Sequence, residues 1–224
     1  FVELHIEQGR VLHDEGTQIG IVSAITGLRW LDVTVTGRAD HAGATPMDLR
    51  LDALQGAAEM TQAVTALVEA QGRPAVATCG MWKVLPGGVN IVPEQVRFSV
   101  DLRHPDEATL QRLTGRIREE CGRIATRRGL QVVLDDAKAV PPAPMDEQLQ
   151  KVIGRAAQEQ GASARPIPSG AGHDSQMWAP HVPTAMIFVP SVDGRSHCPE
   201  EFTSAQDCAV GASVLAGTLR ELAY

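Results

Sequence analysis

His5, in the segment His5-Ile6-Glu7-Gln8-Gly9, and His197, in Ser196-His197-Cys198-Pro199-Glu200-Glu201, stand at opposite ends of the chain. Each is associated with an apolar stretch, Phe1 to Ile6 and Thr184 to Val189, where a strand would deliver an imidazole to the rim of a sheet. Neutral imidazole is the commonest protein ligand for zinc and its neighbours. The two segments therefore read as two parts of one metal site. A catalytic zinc takes three protein groups and leaves one position open, so two histidines make only part of it. Taken singly, either histidine also reads as a residue that caps a strand end.

The elements that must position these residues fall into two patterns. Between Gly27 and Val140, Leu31, Val33 and Val35 alternate with Asp32, Thr34 and Thr36, and Val96, Phe98, Val100 and Leu102 alternate with Arg97, Ser99, Asp101 and Arg103. Alternation of this kind marks half-buried antiparallel strands. Thr45-Pro46 reads as the entry to a helix that buries Leu54, Ala57, Ala58, Val64, Leu67 and Val68 and stops near Gly72 and Pro74. A strand over 75–84, a turn at Pro86-Gly87-Gly88, a strand ending at Arg103, a helix entered at Pro105 and a strand over 130–134 complete a β-α-β-β-α-β order. That order suits a ferredoxin-like sheet with two helices on one face. Pro141-Pro142-Ala143-Pro144 makes a stiff exit, and Asp146 opens a further helix that ends at Gly161. Short apolar strands then alternate with Gly/Pro turns, and Thr203-Ser204-Ala205-Gln206 reads as a capping box for the last helix. The reading is α/β: residues 1–26 and 141–224 form one domain, interrupted by an inserted α+β domain over 27–140.

Composition bounds the partners. A formal net charge of -7 without a basic cluster argues against nucleic acid or an anionic membrane surface. No apolar run approaches the roughly 18 residues of a membrane span. Cys79, Cys121, Cys198 and Cys208 show no zinc-finger spacing, and a chain of this size needs no disulfide framework. A soluble, cytoplasmic protein is expected.

Four motifs in order, His5-Ile6-Glu7-Gln8-Gly9, Asp40-His41-Ala42 leading into Gly43-Ala44-Thr45-Pro46-Met47, Gly170-Ala171-Gly172-His173-Asp174, and Ser196-His197-Cys198-Pro199-Glu200, resemble those of binuclear metal amidohydrolases related to aminopeptidases. The branch they resemble most is that of N-carbamoyl-L-amino-acid hydrolases, allantoate amidohydrolases and β-ureidopropionases. The resemblance implies an aminopeptidase-like catalytic domain with an inserted lid that also forms a homodimer interface. It implies two divalent ions, zinc, manganese or cobalt, with His5 on one and His197 on the other. It also implies that a histidine, a bridging aspartate and a Glu-Glu pair precede the first motif; the sequence given contains none of these, so this chain alone is expected to be inactive.

By the same resemblance His41 is the catalytic histidine that reaches a neighbouring subunit's site and stabilises the oxyanion. Asn90 and Arg103 resemble the pair that grips the substrate carboxylate, a task suited to the planar guanidinium fork. Taken alone, Asn90 reads as a turn residue and Arg103 as a surface charge. Gln8 is expected on the ureido or amide group, Gly172 in a loop whose backbone N–H groups approach the ligand, and His173 orienting that loop. The implied substrate is a small N-carbamoyl-L-amino acid or allantoate-like ureide, cleaved at the carbamoyl C–N bond. The alternatives are an aminoacylase or peptidase of the same superfamily, or a non-catalytic dimerisation module.

Overall fold

The computed structural model describes residues 1–223. In chain order its elements are β1 (Val2–Ile6), α1 (Val11–Glu15), β2 (Ile19–Ile25), β3 (Gly27–Thr36), β4 (Asp40–His41), α2 (Ala53–Gln71), β5 (Val76–Thr78), β6 (Trp82–Leu85), β7 (Ile91–Val92), β8 (Gln95–His104), α3 (Glu107–Arg128) and β9 (Gln131–Val140). There follow β10 (Ala143–Pro144), α4 (Glu147–Glu159), β11 (Ala164–Ser169), α5 (Ser175–Trp178), β12 (Ala185–Val189) and α6 (Ala205–Ala223). The chain divides into two compact units, one of Phe1–Thr26 with Pro142–Tyr224 and one of Gly27–Pro141.

In the first unit β12 lies between β1 and β2. Its run Ala-Met-Ile-Phe-Val is buried at every position, as expected of an apolar strand covered on both faces. Alternation sends Ala185, Ile187 and Val189 into one core with Ile153, Ala157 and Val214, and Met186 and Phe188 into another with Leu12, Val22, Ile25 and Ile167. β1 runs parallel to β12, with Glu3 opposite Met186 and His5 opposite Phe188. Val2, Leu4 and Ile6 pack on the first core, so Glu3 and His5 share the opposite face, that of Phe188.

In the second unit an antiparallel sheet has the order β5-β8-β3-β9, with β6 also paired to β8. Leu31, Val33, Val35, Val96, Phe98, Val100 and Leu102 are buried against Ala57, Met60 and Val64 of α2 and Leu110, Leu113 and Ile117 of α3. Three local expectations change. The helix entry lies at Asp52, whose carboxylate accepts from the Leu54 and Gln55 N–H groups at 2.9 and 3.2 Å, because a short 3-10 turn over Met47–Leu49 and extended backbone at Arg50 separate Thr45 from the helix. The strand over 75–84 is two strands, broken where Met81 and Ser99 exchange hydrogen bonds through the Ser99 backbone N–H and side-chain oxygen. β9 extends to Val140, past the polar Asp135-Asp136 pair, because it pairs with β3 along its whole length.

In the first unit α6 is capped by Ser204, which accepts from the Asp207 N–H at 3.0 Å, one residue later than the Thr203 box. Thr203 instead donates to the Pro190 carbonyl. Among the described residues no helix is long and apolar enough to cross a membrane.

Candidate metal and substrate site

His5 closes β1, and its Nδ1 lies 2.8 Å from the Ile6 carbonyl oxygen. A carbonyl only accepts, so the proton sits on Nδ1 and the Nε2 lone pair is left for a Lewis acid, the arrangement that second-shell partners impose on metal-binding histidines. Against its ring, edge-on with centroids 4.6 Å apart, stands His173. Donor atoms of Glu3, His5 and His173 all lie within 4.8 Å of one another, the one such grouping among the described residues.

His173 comes from the Gly-rich loop after β11 and is held from below by buried Ser169. The serine hydroxyl donates to the Ala171 carbonyl at 3.0 Å, accepts from the Ala171 N–H at 3.2 Å and lies 2.7 Å from His173 Nε2. With its proton spent on the carbonyl, the hydroxyl accepts from Nε2–H, which leaves the lone pair of His173 on Nδ1. Burial and then the neighbouring His5 push the His173 imidazole toward its neutral form. Glu3 anchors the other side of this loop, its Oε2 accepting from the Ser175 backbone N–H at 2.9 Å and hydroxyl at 2.6 Å.

The second pair of segments meets through Gln8 and Ser196. Gln8 Nε2 donates to Ser196 Oγ at 3.1 Å, and the Gln8 backbone N–H donates to Oγ of fully buried Ser191 at 3.0 Å. His197 donates its backbone N–H to Glu201 Oε2 at 3.0 Å. Ser196 first, then the His197 N–H, lower the Glu201 carboxyl below its ordinary range. Gln8 and His197 both hold φ near 56°, a left-handed conformation rare in non-glycine residues. Leu4, His5, Ile6, Gln8, Val189, Glu201 and Cys208 line an open cavity of about 430 Å³. The structure thus brings His5, Gln8 and Glu201 together, while His197 stands outside the group of mutually close donors around His5. Gly172 lies in the His173 loop, where an added Cβ would meet Gln176 Oε1 at 3.5 Å.

In the second unit β4 pairs with β7, so that His41 lies opposite Ile91 and the Ala42 N–H donates to the Asn90 carbonyl at 3.0 Å. Two expected site residues are therefore neighbours. His41 Nδ1 accepts from the backbone N–H groups of Gly43 and Ala44 at 3.0 and 3.1 Å. The ring proton must then sit on Nε2, as a donor on an exposed side chain. Arg50 donates to the Ala42 and Thr45 carbonyls and ties the same turn down. Arg103 is gripped by Asp101, two residues back on the same strand face, through Nε at 3.0 Å and Nη2 at 2.7 Å.

The model of peptidase family M20/M25/M40 matches residues 1–221. The chain belongs to that family. It is 40% identical over 223 residues to the N-carbamoyl-L-amino acid amidohydrolase of Geobacillus stearothermophilus, covering 100% of this chain and 54% of that protein. It is 38% identical over 224 residues to the allantoate amidohydrolase of Escherichia coli K12, covering 100% and 54%. A hydantoinase/carbamoylase family amidase from Burkholderia ambifaria superposes with a TM-score of 0.95 at 39% identity, over 100% of this chain and 54% of that one. The chain spans about half the length of the curated relatives it matches.

For this M20/M25/M40 chain, sequence reasoning passed over Glu3, Ser169, Arg50 and Glu201. Glu3 carried a signal, since it stands two residues from His5 on a strand and so shares its face. Glu201 lay within a motif without a distinct role, and its bond to the His197 N–H depends on the left-handed turn at 197. Ser169 and Arg50 act through backbone carbonyls that no side-chain pattern reveals.

Proposed function

We propose that the chain forms the inserted lid and part of the catalytic domain of a metal-dependent amidohydrolase that cleaves the carbamoyl C–N bond of N-carbamoyl-L-amino acids or allantoate-like ureides. The observation that carries this reading is the tautomer of His41. Two backbone donors on Nδ1 leave Nε2–H fixed as a donor before any substrate arrives. A preorganised donor of this kind stabilises negative charge on the carbamoyl oxygen as the tetrahedral intermediate forms, and it does so without reorganisation at the moment of reaction. A non-catalytic module has no need of it. Similarity to N-carbamoyl-L-amino acid and allantoate amidohydrolases supports the carbamoyl substrate.

His5 and His197 would each hold one divalent ion, zinc, manganese or cobalt, and the Nε2 lone pair of His5 fits that role. Bound there, the ions would supply Lewis-acid polarisation of the scissile carbonyl and an acidified water. Gln8, tied through Ser196, would orient the ureido group. Gly172 and His173 would shape the loop around it. Asn90 and Arg103 would take the substrate carboxylate, with Asp101 aligning the guanidinium beforehand.

The residues 27–140 would act as a ferredoxin-like lid and as the interface of a homodimer across which His41 is supplied in trans. The all-antiparallel order of its sheet and the exposure of Trp30, Val76 and Val133 on the strands support this.

The test is hydrolysis of N-carbamoyl-L-amino acids, allantoate and N-acetyl amino acids by the native holoenzyme and its His41→Ala variant. Removing one oxyanion donor is expected to lower kcat by about 100-fold with KM little changed. Equal kcat in the two proteins, or turnover of N-acetyl amino acids alone, would reject the reading.

A further inference from the structure

Arg50 sends its guanidinium back across the turn that carries His41. Its Nε donates to the Thr45 carbonyl at 3.0 Å and its Nη2 to the Ala42 carbonyl at 2.5 Å. Between those two carbonyls lie Gly43 and Ala44, whose N–H groups donate to His41 Nδ1 at 3.0 and 3.1 Å. The Thr45 N–H closes the turn on the His41 carbonyl at 3.1 Å. The arginine and the histidine thus grip opposite sides of one short loop.

A single peptide group joins them. The Ala42 carbonyl and the Gly43 N–H belong to the same planar trans unit, in which oxygen and hydrogen point in opposite directions, so a cation that holds the oxygen also aims the hydrogen. Hydrogen bonds on the two ends of an amide polarise one another, and a guanidinium on the oxygen makes the N–H a stronger donor to Nδ1. The root of Arg50 is fixed as well. Its backbone is extended after the 3-10 turn Met47–Leu49. Arg38, just past β3, holds the carbonyls on either side of it, Leu49 through Nη2 at 3.3 Å and Leu51 through the backbone N–H at 2.9 Å.

We infer that Arg50 is the positioning residue for His41: by holding the Ala42 and Thr45 carbonyls it keeps the Gly43 and Ala44 N–H groups on Nδ1, and so keeps the ring oriented with its proton on Nε2. This inference rests on the proposed role of His41 as oxyanion donor and names the group that sets the donor. Arg50 itself touches no reacting atom; its effect passes through the imidazole. Without the two N–H groups on Nδ1 the tautomers of a neutral imidazole compete, and the tautomer protonated on Nδ1 turns a lone pair toward the developing negative charge. Lysine is a poor substitute, because an ammonium is a point charge and lacks the rigid fork that spans two carbonyls.

The experiment compares the native holoenzyme with its Arg50→Ala, Arg50→Lys, His41→Ala and Arg50→Ala/His41→Ala variants, each checked for folding by circular dichroism. Hydrolysis of N-carbamoyl-L-amino acids and allantoate gives kcat and KM. The ring nitrogen-15 shifts of histidine-labelled protein give the His41 tautomer, assigned by the signals that disappear in His41→Ala. Wild type should carry the proton on Nε2. Arg50→Ala should show mixed tautomers and a kcat lower by about 10- to 100-fold, with KM little changed. Guanidinium chloride at a sub-denaturing concentration should restore part of that loss in Arg50→Ala and none in His41→Ala. Arg50→Lys should show the same defects in smaller measure, and it carries the comparison if Arg50→Ala does not fold. Because the arginine acts through the imidazole, the double variant should be no slower than His41→Ala. A wild-type tautomer in the Arg50 variants, or losses that multiply in the double variant, would overturn the assignment and leave the role of His41 intact. Wild-type kcat in His41→Ala would instead overturn the hydrolase reading, and the tautomer spectra would still decide whether Arg50 positions the ring.

Discussion

Glu7 is the acidic member of the first motif, yet its geometry makes it a structural anchor. Its side chain is buried at 8% exposure, Oε1 accepting from the Val11 N–H at 2.9 Å and Oε2 from the Leu12 N–H at 2.8 Å. These are orphan donors at the start of α1, whose N-cap residue, Arg10, makes no side-chain cap. Hydrogen bonds to a charged acceptor are worth about 1.5–3 kcal/mol each. Glu7→Ala removes both and strands the N–H of fully buried Leu12, so roughly 3–6 kcal/mol of local stability is lost. Glu7→Gln keeps one acceptor and turns an NH₂ group toward the other donor, for a loss of about half that.

Hydrogen–deuterium exchange read by mass spectrometry measures this directly. A peptide over residues 7–16 should exchange roughly 100- to 10,000-fold faster in Glu7→Ala, because each 1.4 kcal/mol is a factor of ten, while a peptide within α3 is unchanged. Glu7→Gln should fall between the two. Wild-type protection in Glu7→Ala, or equal exchange in the two variants, would refute the capping argument. The same change should loosen Gln8 and the end of β1, since Glu7 fixes the chain between them and α1.

Two further outcomes follow from the second unit. The side-chain and backbone hydrogen bonds of Thr109 hold the Asp106 carboxyl below its ordinary value, so this cap stabilises α3 above the unfolded-state pKa near 4 and the gain is lost as pH falls through the folded value. Asn offers the same capping geometry without the negative charge that favours a helix N-terminus, and it does not titrate there; the Tm advantage of wild type over Asp106→Asn should therefore shrink as pH is lowered from about 5 to about 2, and a pH-independent difference would count against it. A Cβ added to Gly37 would lie 1.9 Å from the Leu51 carbonyl oxygen and 2.9 Å from Leu130 Cδ2. Gly37→Ala should therefore cost about 3 kcal/mol, seen as a lower urea midpoint, and an unchanged midpoint would mean that the loop at 51 gives way freely.

What the sequence made legible were the parts governed by local periodicity. The alternation of Leu31, Val33 and Val35 and of Val96, Phe98, Val100 and Leu102 marks buried strand faces because one side of their sheet is covered by two helices. Misplaced boundaries arose where a contact outside the local periodicity decided the matter. Thr45-Pro46 has the chemistry of a helix entry, but Arg50 takes the Thr45 and Ala42 carbonyls and holds that stretch as a turn, leaving the cap to Asp52. Asp135-Asp136 lacks a strand's apolar alternation, yet pairing with β3 carries the strand through it. Motif resemblance singles out His5, His173 and His197 in the first unit and His41 in the second. The tautomers of His5, His41 and His173 were not legible, because each is set by a carbonyl, hydroxyl or N–H that becomes a neighbour only when the chain folds.

The loops at the ends of β1 and β12 carry a further argument for function over capping. Among the described residues three non-glycine residues have positive φ, Gln8 at 56°, Asp193 at 55° and His197 at 56°, and all three lie in these loops. A left-handed conformation costs an L-residue roughly 1–2 kcal/mol, and glycine would adopt it without that cost. A chain selected only to close two strands would place glycine there, as it does at Gly16, Gly72 and Gly129 after α1, α2 and α3. Instead the strained backbone is held by long-range bonds, Gln8 N–H to Ser191 and Gln8 Nε2 to Ser196, and by the His197 N–H to Glu201. Gly194 packs so closely on Gly9 and Arg10 that a Cβ would meet the Arg10 nitrogen at 2.6 Å. Stability is spent on fixing where an amide and an imidazole point, and strain so maintained is expected where side chains must meet a ligand.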